Sequence, residues 1–60
     1  MIDTRLPIGH GVVVTGNFRH GKEGEYIGPS TDPDFPLRVN FGFVNEVFAG
    51  SELEGVPHAG

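Results

Sequence analysis

Residues 12–28 read Val-Val-Val-Thr-Gly-Asn-Phe-Arg-His-Gly-Lys-Glu-Gly-Glu-Tyr-Ile-Gly, and no other part of the chain constrains its fold so tightly. A β-branched run, a loop punctuated by Gly16 and Gly21, and a second segment centred on Tyr26 and Ile27 describe two strands folded back on each other. Val12 and Val14 share one face, because side chains alternate along a strand. Tyr26 and Ile27 take opposite faces for the same reason. Such a unit builds small β-barrels, and these more often bind than catalyse.

The rest of the chain keeps the same period. The first strand is expected over His10–Thr15 and the second over Glu23–Gly28. Gly28–Pro36, with three prolines, reads as a turn-rich connection longer than an ordinary hairpin loop. Leu37-Arg38-Val39-Asn40-Phe41 alternates apolar and polar residues and is the clearest half-buried strand. Gly42–Asn45 forms a tight turn into a fourth strand, Glu46–Phe48. Ala49–Leu53 is too short for an α-helix and suits a single 3-10 turn. Glu54–Val56 closes the set as a short fifth strand. The expected class is therefore all-β, a strongly bent barrel of about five strands, since so few short strands cannot form a sandwich. The domain is expected over residues 8–56, with 1–7 a flexible lead-in and 57–60 a flexible tail.

Composition narrows the function. The chain has 60 residues and no cysteine, so neither disulfides nor thiolate metal sites support the fold. No run is apolar enough to span a bilayer, and Asp3 interrupts any signal-like start. The expected location is cytoplasmic, with no membrane partner and no cofactor. Eight Asp plus Glu against four Lys plus Arg give a net charge of −4, the wrong sign for binding driven by phosphate neutralisation.

Gly11–Ile27 resembles a KOW motif, found in some ribosomal proteins and transcription elongation factors. The likeness lies in a valine-rich strand, the Gly16-Asn17-Phe18 loop, the Gly21-Lys22-Glu23-Gly24 step and a second strand. The downstream alternating strand, short hairpin and Ser51-Glu52-Leu53-Glu54 turn are similar to the close of an SH3-like barrel. The resemblance implies an SH3-like fold with a short 3-10 turn before the last strand, and contact with nucleic acid or the ribosome through the first loop. KOW domains of that kind are basic around the loops, whereas this chain is acidic. A second relative of the fold, the plasmid-encoded type II dihydrofolate reductase, relies on a Val-Gln-Ile-Tyr segment. Asn45-Glu46-Val47-Phe48 stands at the comparable place, so that activity is not carried over.

Two contact surfaces follow. Phe18, Arg19, His20, Lys22 and Tyr26 combine the basic loop with aromatic rings suited to stacking on a base; the plainer alternative is a solvated loop with Phe18 in the core. Phe35, in a proline loop, and Phe43, in a turn, lack an obvious place inside so small a core. They are the candidates for a protein interface, with another protein or with a second copy. The plainer reading tucks both rings over the barrel ends. His10, His20 and His58 are too widely spaced for a structural zinc site. Asp32, Asp34, Glu46, Glu52 and Glu54 read as solvated charge in a barrel too small for a catalytic cleft. The chain is thus expected to be a non-enzymatic interaction module. A nucleic-acid- or ribosome-associated module is the second reading, and an oligomeric enzyme with its site at a subunit interface the third.

Overall fold

The computed structural model describes residues 2–16 and 20–56. Five antiparallel strands form one sheet: β1 (Gly11–Val14), β2 (Glu23–Pro29), β3 (Leu37–Asn40), β4 (Asn45–Phe48) and β5 (Leu53–Gly55). A 3-10 turn, Gly50–Glu52, lies between β4 and β5, and the strand order is β4-β3-β2-β1-β5. The all-β class and the place of the 3-10 turn therefore agree with the sequence reading. Closure into a barrel does not follow, because no ladder joins β4 to β5.

Alternation fixes which face is buried. Val12 and Val14 of β1, Tyr26 of β2, Leu37 and Val39 of β3, Phe48 of β4 and Leu53 of β5 point inward, each at most 3% exposed. A flat sheet with no second layer cannot hide one face so completely, and among the described residues no α-helix covers it. The sheet therefore curls round its own inner face. Connector length demands the same. Laid flat, strands about 4.8 Å apart would set β4 roughly 19 Å from β5, whereas the five Cα steps from Phe48 to Leu53 reach at most about 18 Å even fully extended, and less with a 3-10 turn among them. β2 is the strand that bends: its first half pairs with β1 and its second with β3, with a bulge at Ile27 where the register shifts between Tyr26 and Gly28.

Gly24 makes the curl possible. A Cβ there would lie 2.7 Å from Val39 Cγ1, 2.8 Å from the Asn40 carbonyl oxygen and 2.8 Å from Phe41 Cδ1. The Phe41 ring thus rests on bare backbone, and it meets Phe48 edge-on at a centroid distance of 5.9 Å.

Strand bounds shift by a residue or two from expectation. β2 runs on to Pro29, which pairs with Leu37, because a terminal ladder position tolerates proline. β5 is Leu53–Gly55 instead of Glu54–Val56, since Leu53 is drawn inward opposite Val14. Glu52 is half-buried, and its carboxylate accepts the Ala49 N–H at 2.9 Å to cap the 3-10 turn. The expected lead-in contacts the body at several points. The Ile2 N–H donates to Gly50 O at 3.1 Å, and Ile2 and Leu6 pack on the core.

Tyr26 is the chain's one tyrosine. Its ring is buried and its hydroxyl donates to Thr4 O at 3.3 Å. Burial, and next the charge of Asp3, push its pKa above the ordinary tyrosine value near 10. The folded state therefore holds the proton that the unfolded chain releases near pH 10, so this contribution is complete below that pH and is lost as pH rises toward the folded value. The phenolate absorbance should accordingly rise later than free tyrosine and together with loss of structure. Tyr26→Phe should weaken the alkaline fall in stability; a fall unchanged in that variant would exclude Tyr26 as its cause.

Candidate interaction surface

Strand direction sorts the candidate residues into two ends. The β1–β2 loop and the β3–β4 hairpin share one end of the sheet, because Glu25 of β2 pairs with Asn40 of β3. The connection from Pro29 to Leu37 lies at the other. Phe43 therefore shares an end with His20 and Lys22, while Phe35 sits across the length of β3 from it. The two phenylalanines expected to form one surface are not brought together.

The hairpin is tightly built. Gly42, at φ +108°, and Phe43 are its two central residues, and the Phe41 N–H donates to Val44 O at 2.9 Å. Glycine with positive φ at the first central position is the signature of a type II′ turn, whose twist matches the strands on either side. Two side-chain bonds brace it. Asn40 Nδ2 donates to Asn45 Oδ1 at 2.6 Å, and the Gly42 N–H donates to Asn40 Oδ1 at 2.9 Å. At its tip Phe43 is 96% exposed. Val44 and, one strand residue beyond Glu46, Val47 are each 39% exposed. Three of the five large apolar side chains exposed among the described residues thus fall within Phe43–Val47, on or beside β4. Among the described strands β4 lies at an edge, paired only with β3. Sequence reading found Phe43 but missed Val44, read as part of the turn, and Val47, read as an ordinary strand residue; it is the strand order that puts them on or beside an edge.

The basic loop is organised differently from expectation. Phe18 and Arg19 lie outside the described residues, as does His58. Gly21 and Lys22 form a bulge opposite Val14, whose carbonyl accepts the Gly21 N–H while its own N–H donates to Lys22 O. His20 is exposed, and its Nδ1 lies 2.9 Å from Thr15 O, so the ring donates to that carbonyl. Lys22 Nζ stands 5.3 Å from the centroid of the Phe41 ring, a cation–π contact tying the loop to the hairpin. Tyr26 requires a correction: its ring is buried in the core and offers no face to a base.

Phe35 is 41% exposed on a loop closed by its own side chains. Ser30 Oγ donates to Phe35 O and accepts the Asp32 N–H at 3.0 Å, and the Asp34 N–H donates to Asp32 Oδ1 at 2.9 Å. Asp32 therefore supports a turn besides being solvated. Glu46 is half-buried on the inner side of β4, opposite Val39, and is not the fully solvated charge its sequence context suggests. Asp3 and Arg5 form an exposed ion pair at 2.9 Å, whose hydrogen bonds lower the Asp3 pKa and raise that of Arg5. Among the described residues no group of three His, Cys, Asp or Glu is placed to hold a metal, and no helix is long and apolar enough to cross a membrane.

No protein-family model matches the chain, and searches of curated proteins and of solved structures return no match.

Proposed function

We propose that this chain is a non-enzymatic, cytoplasmic interaction module on an SH3-like scaffold, docking on another protein through the β3–β4 hairpin. The observation that carries this reading is the exposure of Phe43 on a tip braced by Asn40 and Asn45. A large aromatic ring held in water by a preorganised turn loses little conformational freedom when a partner covers it, the usual property of a binding anchor. Phe35 is outside this surface.

The second reading, a nucleic-acid-associated module of KOW type, draws on His20 and Lys22 sharing an end with Phe43, where a cation and an exposed ring meet a single strand. The charges weaken it. Net charge is −4, Arg5 is engaged by Asp3, and Lys22 is turned over Phe41.

The test replaces Phe43 with a photo-crosslinking phenylalanine analogue in the native host, with the exposed Asp34 as control position. A discrete protein adduct at position 43 and none at position 34 is expected. An adduct to RNA, together with binding of single-stranded RNA that fades steeply with salt, would move the assignment to the second reading. Phe43→Ser should leave folding stability within about 0.5 kcal/mol of the parent, as an exposed site allows, and should abolish the adduct-forming contact in competition.

A further inference from the structure

We propose that residues 2–6 are a strap with two states, seated on the core or released as one unit, while the five-stranded sheet stays folded in both. The strap belongs to no ladder. Among the described residues two hydrogen bonds hold it to the body. The Ile2 N–H donates to Gly50 O at 3.1 Å, and the Tyr26 hydroxyl donates to Thr4 O at 3.3 Å. It thus reaches from the 3-10 turn between β4 and β5 to the middle of β2. Ile2 and Leu6 pack on the core but are only half-buried, and Asp3, Thr4 and Arg5 between them are exposed. Few buried apolar contacts and little hydrogen bonding mark the segments that open below the global free energy.

Internal bonds make the strap move as one body. The Arg5 N–H donates to Asp3 Oδ1 at 2.9 Å, and the Leu6 N–H donates to Asp3 O at 3.2 Å. Both lie within the strap and survive its release. Beyond it the chain is anchored again, because the Gly9 N–H donates to Tyr26 O at 2.8 Å. Release therefore pivots between Leu6 and Gly9, at the exposed Pro7 and Ile8. Gly50 gates the seat. The Ile2 backbone lies directly against this glycine, and a Cβ there would collide with the Ile2 carbonyl. Gly50 is not among the glycines at positive φ, so its own backbone suits alanine. What excludes a side chain at position 50 is thus the strap and not the turn. Release uncovers the Gly50 carbonyl, the Tyr26 hydroxyl and the apolar surface under Ile2 and Leu6, a site the chain keeps closed with its own segment.

A double-mutant cycle on the full chain, read by the urea midpoint, tests the strap. Gly50→Ala should raise the ratio of released to seated chains about tenfold or more. Leu6→Ala should lower the midpoint in the parent, and by about half as much or less when Gly50→Ala has already unseated the strap. Circular dichroism of Gly50→Ala should keep the β signature of the parent. Its NMR signals should move at Leu6 and the Tyr26 ring as well as at Ile2. Equal midpoint shifts in both backgrounds would overturn release as a unit, and a Gly50→Ala chain without β structure would overturn a sheet that stays folded. A second readout needs no substitution. Relaxation dispersion of the parent's methyl groups should give Ile2 and Leu6 one shared exchange rate that Val12 and Val39 do not show. Exchange at Ile2 alone would mark a fraying end and overturn the strap, as would exchange at neither residue or at the rate of Val39.

Discussion

Phe48→Ala is expected to leave the chain largely unfolded at room temperature. The ring is 3% exposed, lies opposite Leu37 and takes the edge of Phe41. Truncating a buried phenylalanine costs about 3–5 kcal/mol through lost transfer energy and the cavity left behind. A chain of 60 residues has only about 3–9 kcal/mol in total at the usual 0.05–0.15 kcal/mol per residue. The loss is thus of the order of the whole. Thermal or urea unfolding followed by circular dichroism measures it, with Phe48→Leu as the partner variant that keeps an apolar side chain and should lose less. A cooperative transition for Phe48→Ala within 1 kcal/mol of the parent would mean that β4 is not anchored through this ring. The position of β4 and its hairpin depends on the same residue, since Phe48 is the one buried side chain of β4.

Gly24→Ala is the second large effect, and it runs in the opposite physical sense, by adding a methyl group. The new Cβ would meet two side-chain carbons and the Asn40 carbonyl oxygen, all below 3.0 Å. Side chains can rotate away, but the carbonyl belongs to the β2–β3 ladder and moves only with it. Overpacking of this kind costs about 1–3 kcal/mol, and each kcal/mol lowers Tm by about 4–8 °C in a small domain. Gly55→Ala is the control, because its Cβ would approach only the His10 ring, at 3.3 Å. Equal Tm values for the two variants would show that Phe41 and Val39 can back away from β2. A Lys22 signal displaced in Gly24→Ala alone would follow from the shift of the Phe41 ring beneath it.

These two sites show how far the sequence could be read. Alternation in Leu37–Phe41 and Val12–Val14 placed the buried face correctly, because burial on one side of a strand leaves a period of two. Phe41 escaped that rule in part. It sits where the ladder ends and the hairpin begins, so it covers Gly24 from the rim instead of filling the centre. Tyr26 carried opposite implications, an apolar ring for the core and a stacking face for a ligand, and only the curl of β2 decided between them. Phe43 was legible as a residue without a home. What it belongs to was not, because an edge is a property of strand order, and order depends on the return of the chain from β4 to β1. The reach of Ala49–Glu52 could have signalled that return, but only once the neighbours of β5 were known. Glu52 had a local signal, an acid three residues after Ala49, which is the spacing of a capping contact.

The bend in β2 bears on how the molecule opens. This strand belongs to the ladder with β1 through its first residues and to the ladder with β3 through its last, and Glu25 serves both. Neither hairpin can detach without removing half the support of the other. Amide hydrogen exchange at Val12, Glu25, Tyr26 and Val39 should therefore proceed through one shared global event, with a single free energy and a single denaturant dependence. Among the described strands the two at the ends of the order, β4 with its hairpin on β3 and β5 on β1, each hang on a single neighbour and can fluctuate without opening β2.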